Sequence, residues 1–149
     1  MGVAPPPAAI QRRGCTVTRD PTFPSGHRDG WPHRVQCANG YNEQAFFDAW
    51  RRGVTIAGRR WFGDGNAAPQ SAASKWDLAP RIDDITASIG ILSSGEAMFL
   101  ASMVSFYNSD PGGQMLGDLG ATGLSDISAS LDEPRRRVIA DLLISYNGW

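Results

Sequence analysis

Four side chains able to act as soft metal ligands fall within 23 residues: Cys15, His27, His33 and Cys37. Their spacing is Cys-x11-His-x5-His-x3-Cys. Two thiolates and two imidazoles complete a tetrahedral zinc shell, and such a shell orders a segment that has no core of its own. The His-x3-Cys half has zinc-like spacing. The long gap from Cys15 to His27 and the lack of a Cys-x2-Cys knuckle weigh against a site. The competing expectation is four unrelated residues in a poorly ordered arm. Zinc is the one cofactor these residue types suggest.

A second chemistry is recognition by guanidinium and aromatic groups. Trp50-Arg51-Arg52 and Arg59-Arg60-Trp61-Phe62 interleave the two across 13 residues. Arginine forks onto phosphate and an exposed tryptophan stacks a base. The same types are enriched at protein interfaces. Trp50, Arg51, Arg52, Arg59, Arg60 and Trp61 are therefore the candidate binding residues. The opposing expectation buries Trp50, Trp61 and Phe62, because a small domain needs its large apolar groups inside.

Arg135, Arg136 and Arg137 form a third cluster, in the first turn of the last expected helix, where a recognition helix meets DNA. Asp132, Glu133 and Asp141 surround them and repel a phosphate backbone. Asn108, Asp110, Gly112 and Gln114 alternate like the start of a calcium loop, but position twelve is Leu119, so the bidentate carboxylate is missing. This stretch reads instead as a helix stop and turn. No GxSxG, P-loop, HExxH or GxGxxG stands in the sequence. Asp83 and Asp84 suit a helix N-terminus better than a catalytic pair. No enzymatic activity is expected.

The elements that must position these groups follow from the 149 residues and their pattern. The 27 Gly and Pro residues imply extensive turn and loop. The longest uninterrupted apolar run is Ala97–Ala101, far short of the roughly 20 residues that a membrane helix needs. No secretory signal opens the sequence, and a cytoplasmic location is expected. Net charge is −1, yet residues 1–61 carry nine Arg against four acids and residues 62–149 carry five basic residues against eleven acids. The basic front suits a nucleic acid or an acidic partner, or is simply solvated.

Residues 1–40 are crowded with Pro and Gly and keep no apolar period, so a disordered or extended basic arm is expected. Residues 41–149 are expected to form a single, mainly α domain. Its first helix spans 42–52 and stops at Gly53. A short β-hairpin turning at Gly58 is expected over 54–62, followed by a loop over 63–74. Two helical hairpins, 81–108 and 123–147, form a four-helix arrangement. They share an internal likeness at offsets of 39 and 42, through pairs such as Leu92/Leu131, Ala101/Ala140 and Tyr107/Tyr146. Ala97–Tyr107 should be the buried central helix, capped by a Ser93/Glu96 box. The last helix should bury Val138, Ile139, Leu142, Leu143 and Tyr146, and Trp149 should fold back as an apolar plug.

The expected function is a small non-catalytic protein-binding accessory, such as a phage- or mobile-element-encoded inhibitor that docks on a host complex. The alternative is a nucleic-acid-binding protein that uses the Arg/Trp patch at 50–62 or Arg135–Arg137.

Overall fold

The computed structural model describes Asn39–Trp149 and two short segments, Cys15–Thr16 (β1) and Gln36–Cys37 (β2), with side chains described from Asn42 onward. The chain divides into two units, Met1–Tyr41 and Asn42–Trp149. In the first unit β1 and β2 pair antiparallel, with Cys15 opposite Cys37 and Thr16 opposite Gln36. Apart from β1, β2 and the first residues of α1, the disordered or extended arm expected over residues 1–40 lies outside the described residues, as do His27 and His33.

The protein is mainly α. Its helices among the described residues are α1 (Asn39–Ala57), α2 (Ile82–Ser88), α3 (Ser94–Tyr107), α4 (Ser109–Asp118), α5 (Leu124–Ser130) and α6 (Glu133–Ser145). The centre is α3, whose residues Ala97–Val104 are all buried. Such a helix must accommodate a polar residue on its inner surface. Ser102 does so by donating its hydroxyl to the Met98 carbonyl at 2.7 Å. Ser93 caps α3 as its sequence requires: its backbone N–H donates to Glu96 Oε2 at 3.2 Å, and its Oγ accepts from the Glu96 N–H at 3.4 Å.

α1 is longer than expected, because Gly53 is not a stop. A Cβ placed on Gly53 would lie 2.7 Å from Met103 Sδ and 3.2 Å from Val138 Cγ1. The glycine is a point of close approach, and the helix runs through it until Gly58 turns the chain at φ +99°. The β-hairpin expected over 54–62 is therefore replaced by the last turn of α1 and a single 3-10 turn, Arg59–Trp61. Val54 faces the core, fully buried. Helical continuity outweighs the β preference of Val54-Thr55-Ile56, since propensity is a weak prior against tertiary burial.

Residues 63–79 leave and return through one gate. Gly63 N–H donates to the Ala79 carbonyl and Arg81 N–H to the Trp61 carbonyl, each at 2.8 Å, around an isolated bridge from Phe62 to Pro80. The segment is fastened to α1 by the Trp50 indole N–H, which donates to the Leu78 carbonyl at 3.0 Å, and by Arg51, which donates to the Ala72 carbonyl.

The stop expected at Asn108–Gly113 is also replaced by helix. Asn108 ends α3 and caps α4, its Oδ1 accepting from the Asp110 N–H at 3.2 Å. Pro111 stands in the first turn, where its missing N–H has no intrahelical role. Gly112 lies against Ser105 of α3, so closely that a Cβ would meet its backbone at 2.3 Å.

The stretches expected as hairpins hold α2 followed by α3 and α5 followed by α6, but α3 packs chiefly on α4 and then on α5 rather than on α2. Five residues separate the helices of the first and two those of the second, a difference of three that matches the shift between offsets 39 and 42. Equivalent positions are used differently, however. Ala101 is buried and Ala140 exposed. Trp149 returns to the core: its ring centroid lies 4.6 Å from that of Trp50, 4.9 Å from Tyr107 and 5.9 Å from Phe46. Lys75 Nζ holds the preceding carbonyl of Gly148 at 2.8 Å.

Candidate functional site

The Arg/Trp patch at 50–62 does not form as an aromatic surface. Trp50 is 0% exposed and Trp61 6% exposed, so neither is available to a partner. Trp50 packs edge-on to Phe62 at 5.8 Å, and Trp61 is roofed by the Arg60 guanidinium at 4.0 Å. Burial of these large rings is what a core of this size demands. Arg51 is half structural as well. Its guanidinium lies 4.0 Å over the Phe47 ring while one nitrogen serves the Ala72 carbonyl. Arg59 and Arg60 remain exposed beside the turn that follows α1.

The arginines of α6 are engaged too. Arg135 pairs with Asp132 at 2.5 Å, and Arg137 pairs with Glu133 at 2.6 Å. Asp132 is at the same time the cap of α6, accepting from the Arg135 N–H at 3.0 Å. Arg136 is exposed, without a carboxylate within 4 Å among the described residues. One free cation per turn does not make a phosphate track.

What the fold does assemble is a groove of about 830 Å³ between α1 and α6. Asp48, Arg52, Thr55 and Ile56 line it from α1, and Arg137, Asp141 and Ile144 from α6. On α6 these positions are three or four apart, and on α1 Arg52 follows Asp48 by four with Thr55 and Ile56 three and four beyond it, which places each set on one face. Arg52 Nη2 meets Asp141 Oδ2 at 2.7 Å and joins the two walls. The arginines of two separate sequence clusters, Arg51-Arg52 and Arg137, thus line the same groove.

A second, apolar hollow of about 380 Å³ lies on the other side of α6, where Leu124, Ile127, Ile139, Leu143 and Tyr146 surround Phe106. The stripe expected on α6 divides accordingly. Val138, Ile139 and Leu142 are buried, whereas Leu143 is 53% and Tyr146 47% exposed. Ile144, on the groove side, is 81% exposed. Leu143 and Ile144 are sequence neighbours that serve opposite surfaces. The groove residues Ile56 and Ile144 were not among the sequence candidates; the i, i+4, i+7 series Arg137, Asp141, Ile144 is the signal that marks the wall.

Perturbed carboxylates do not gather at either surface. Hydrogen bonds from the Ser93 hydroxyl and backbone hold Glu96 below its ordinary value. Bonds from Thr122 and Gly123 do the same for Asp126, and the backbone N–H groups of Ala67 and Asn66 for Asp64. Each of these carboxylates belongs to a cap or a turn, not to a site. Among the described residues no cluster of three or more His, Cys, Asp or Glu is placed to hold a metal ion, and no helix is long and apolar enough to cross a membrane. Comparison with known proteins finds no matching family model, curated protein or solved structure.

Proposed function

We propose that this chain is a small non-catalytic accessory protein that docks on a protein partner through α6 and the surfaces on either side of it. The observation that carries this reading is the exposure of Leu143 and Ile144 on a helix whose inner face is core, and of Tyr146 just past its end. Leu143 and Tyr146 open on the hollow and Ile144 on the groove, and exposed apolar residues at concave surfaces are typical of protein interaction sites.

The groove's arginines are each paired with a carboxylate, Arg51 with Asp48, Arg52 with Asp141 and Arg137 with Glu133, so its exposed apolar residues rather than its charge select the partner. The fitting occupant is a helix or extended segment of another protein that lays apolar side chains along Ile56 and Ile144. Inhibition of a larger complex by occupying such a segment is one form this activity would take. Nucleic-acid binding is the weaker reading, because Arg52, Arg135 and Arg137 are already neutralised by carboxylates.

The test compares tagged wild-type chain with Ile144→Glu and Leu143→Glu in pull-downs from native-host lysate, with and without nuclease. The expected result is a discrete protein that survives nuclease and is lost with Ile144→Glu, while circular dichroism shows the variant folded. A partner retained equally by both variants would overturn the site. Recovery of nucleic acid, with binding that falls steeply with salt, would overturn the function.

A further inference from the structure

Outside the helical unit, the backbone pairing of β1 and β2 sets Cys15 directly opposite Cys37. These are both of the cysteines in the sequence. Directly opposite residues of an antiparallel pair have Cα atoms about 4.5–5.5 Å apart. Disulfides span Cα separations of about 4.4–6.8 Å. The register therefore satisfies the backbone condition for a bridge, one that two cysteines 22 residues apart in sequence would rarely meet by chance.

We propose that Cys15 and Cys37 are a thiol pair that converts reversibly to an intrachain disulfide by exchange with a low-molecular-weight disulfide such as oxidised glutathione. One cysteine thiolate attacks the glutathione disulfide, forming a mixed disulfide and releasing one glutathione thiol. The second cysteine displaces the other glutathione. The chain loses two hydrogens and two electrons, and both are recovered in two reduced glutathione molecules. The product closes a 23-residue loop from Cys15 to Cys37 and locks the strand register. This inference is independent of the docking surface.

The test uses the full chain, reduced, and equilibrated with glutathione mixtures in native buffer and in concentrated urea. The products are trapped with acid, digested and weighed. Pairing by the strands predicts a Cys15–Cys37 linked peptide in about tenfold or greater excess over glutathione adducts, because the partner thiol is held at a higher effective concentration than a flexible loop supplies. That excess should collapse in urea. The Cys37→Ser variant should yield only a Cys15 adduct, which assigns the linked peptide. Dominant adducts in native buffer, covalent dimers, or a ratio that urea does not change would each overturn the proposal. So would thiols that react only after a chelator strips zinc from them.

Discussion

Arg52 on α1 and Asp141 on α6 meet at 2.7 Å across the groove, with side chains 57% and 45% exposed. The pair bridges the two walls but adds little to the stability of the fold, because exposed ion pairs contribute little. Replacing Arg52 with Ala should lower unfolding stability by less than about 1 kcal/mol in urea titrations. Its coupling to Asp141→Ala in a double-mutant cycle should be about 0.2–1 kcal/mol. A loss of several kcal/mol would show that the groove is part of the core.

Gly112 and Gly113 are adjacent in α4 and should respond oppositely to alanine. A Cβ on Gly112 would drive into the Ser105 backbone, whereas one on Gly113 meets nothing within 4 Å. Gly112→Ala should cost about 1–3 kcal/mol by forcing α4 from α3. Gly113→Ala should gain about 0.5–1 kcal/mol, as a helix-interior glycine does when replaced without strain. Thermal melts of the two single variants suffice, and equal shifts would contradict the close crossing.

Removing the ring of Trp149 should be expensive for a residue that lies past the end of the last helix. Trp149→Ala strips contacts from Trp50, Phe46, Tyr107 and Trp76, at about 2–4 kcal/mol, toward the lower end of large-to-small core substitutions because the residue is only half-buried. Trp149→Phe should cost much less, since the indole N–H is buried without a hydrogen-bond partner. Calorimetry on both variants separates ring packing from the N–H.

Acid should loosen the helix caps before the core. Glu96, Asp126 and Asp64 all have lowered folded values. A carboxylate depressed by folding stabilises above its unfolded value, near 4, and that contribution is lost as the pH falls through the folded value. Stability should therefore be flat above about pH 5 and fall below it. Ser93→Ala removes the hydroxyl hydrogen bond that does most to hold Glu96 low, so the Glu96 titration followed by NMR should move up toward the ordinary range. A Glu96 titration unchanged in that variant would show that the box does not form.

The helical character, the buried α3, the Ser93/Glu96 box and the return of Trp149 were legible because each depends on local pattern. Apolar periodicity names the core helix, and a serine three residues before a glutamate names its start. Gly53 and Gly112 misled for a common reason. In sequence a glycine reads as a break, but here Gly112 marks a place where the α3 backbone passes too close for a Cβ, and Gly53 one where the side chains of Met103 and Val138 fill the space that a Cβ would take. That information lies in the partner helix, not in the neighbouring residues. The groove was illegible in the same way. Arg52 and Arg137 are 85 positions apart in sequence, and only the packing of α1 on α6 brings them to one surface. Trp50 and Trp61 looked like binding residues because tryptophan serves cores and interfaces alike, and composition does not distinguish the two.

The gate at Phe62 and Pro80 has a practical consequence for anyone labelling this protein. Because both ends of residues 63–79 are bonded to each other at 2.8 Å, the excursion is already closed before its tip is considered. Asn66, Ala67 and Ala68 at that tip are exposed. Extra residues spliced there would lengthen a loop whose closure grows only logarithmically, about 0.6 kcal/mol for each doubling. A peptide epitope or a fluorophore acceptor inserted between Ala67 and Ala68 should leave the helices in register, and it would stand two residues from Gln70, at the edge of the α1–α6 groove.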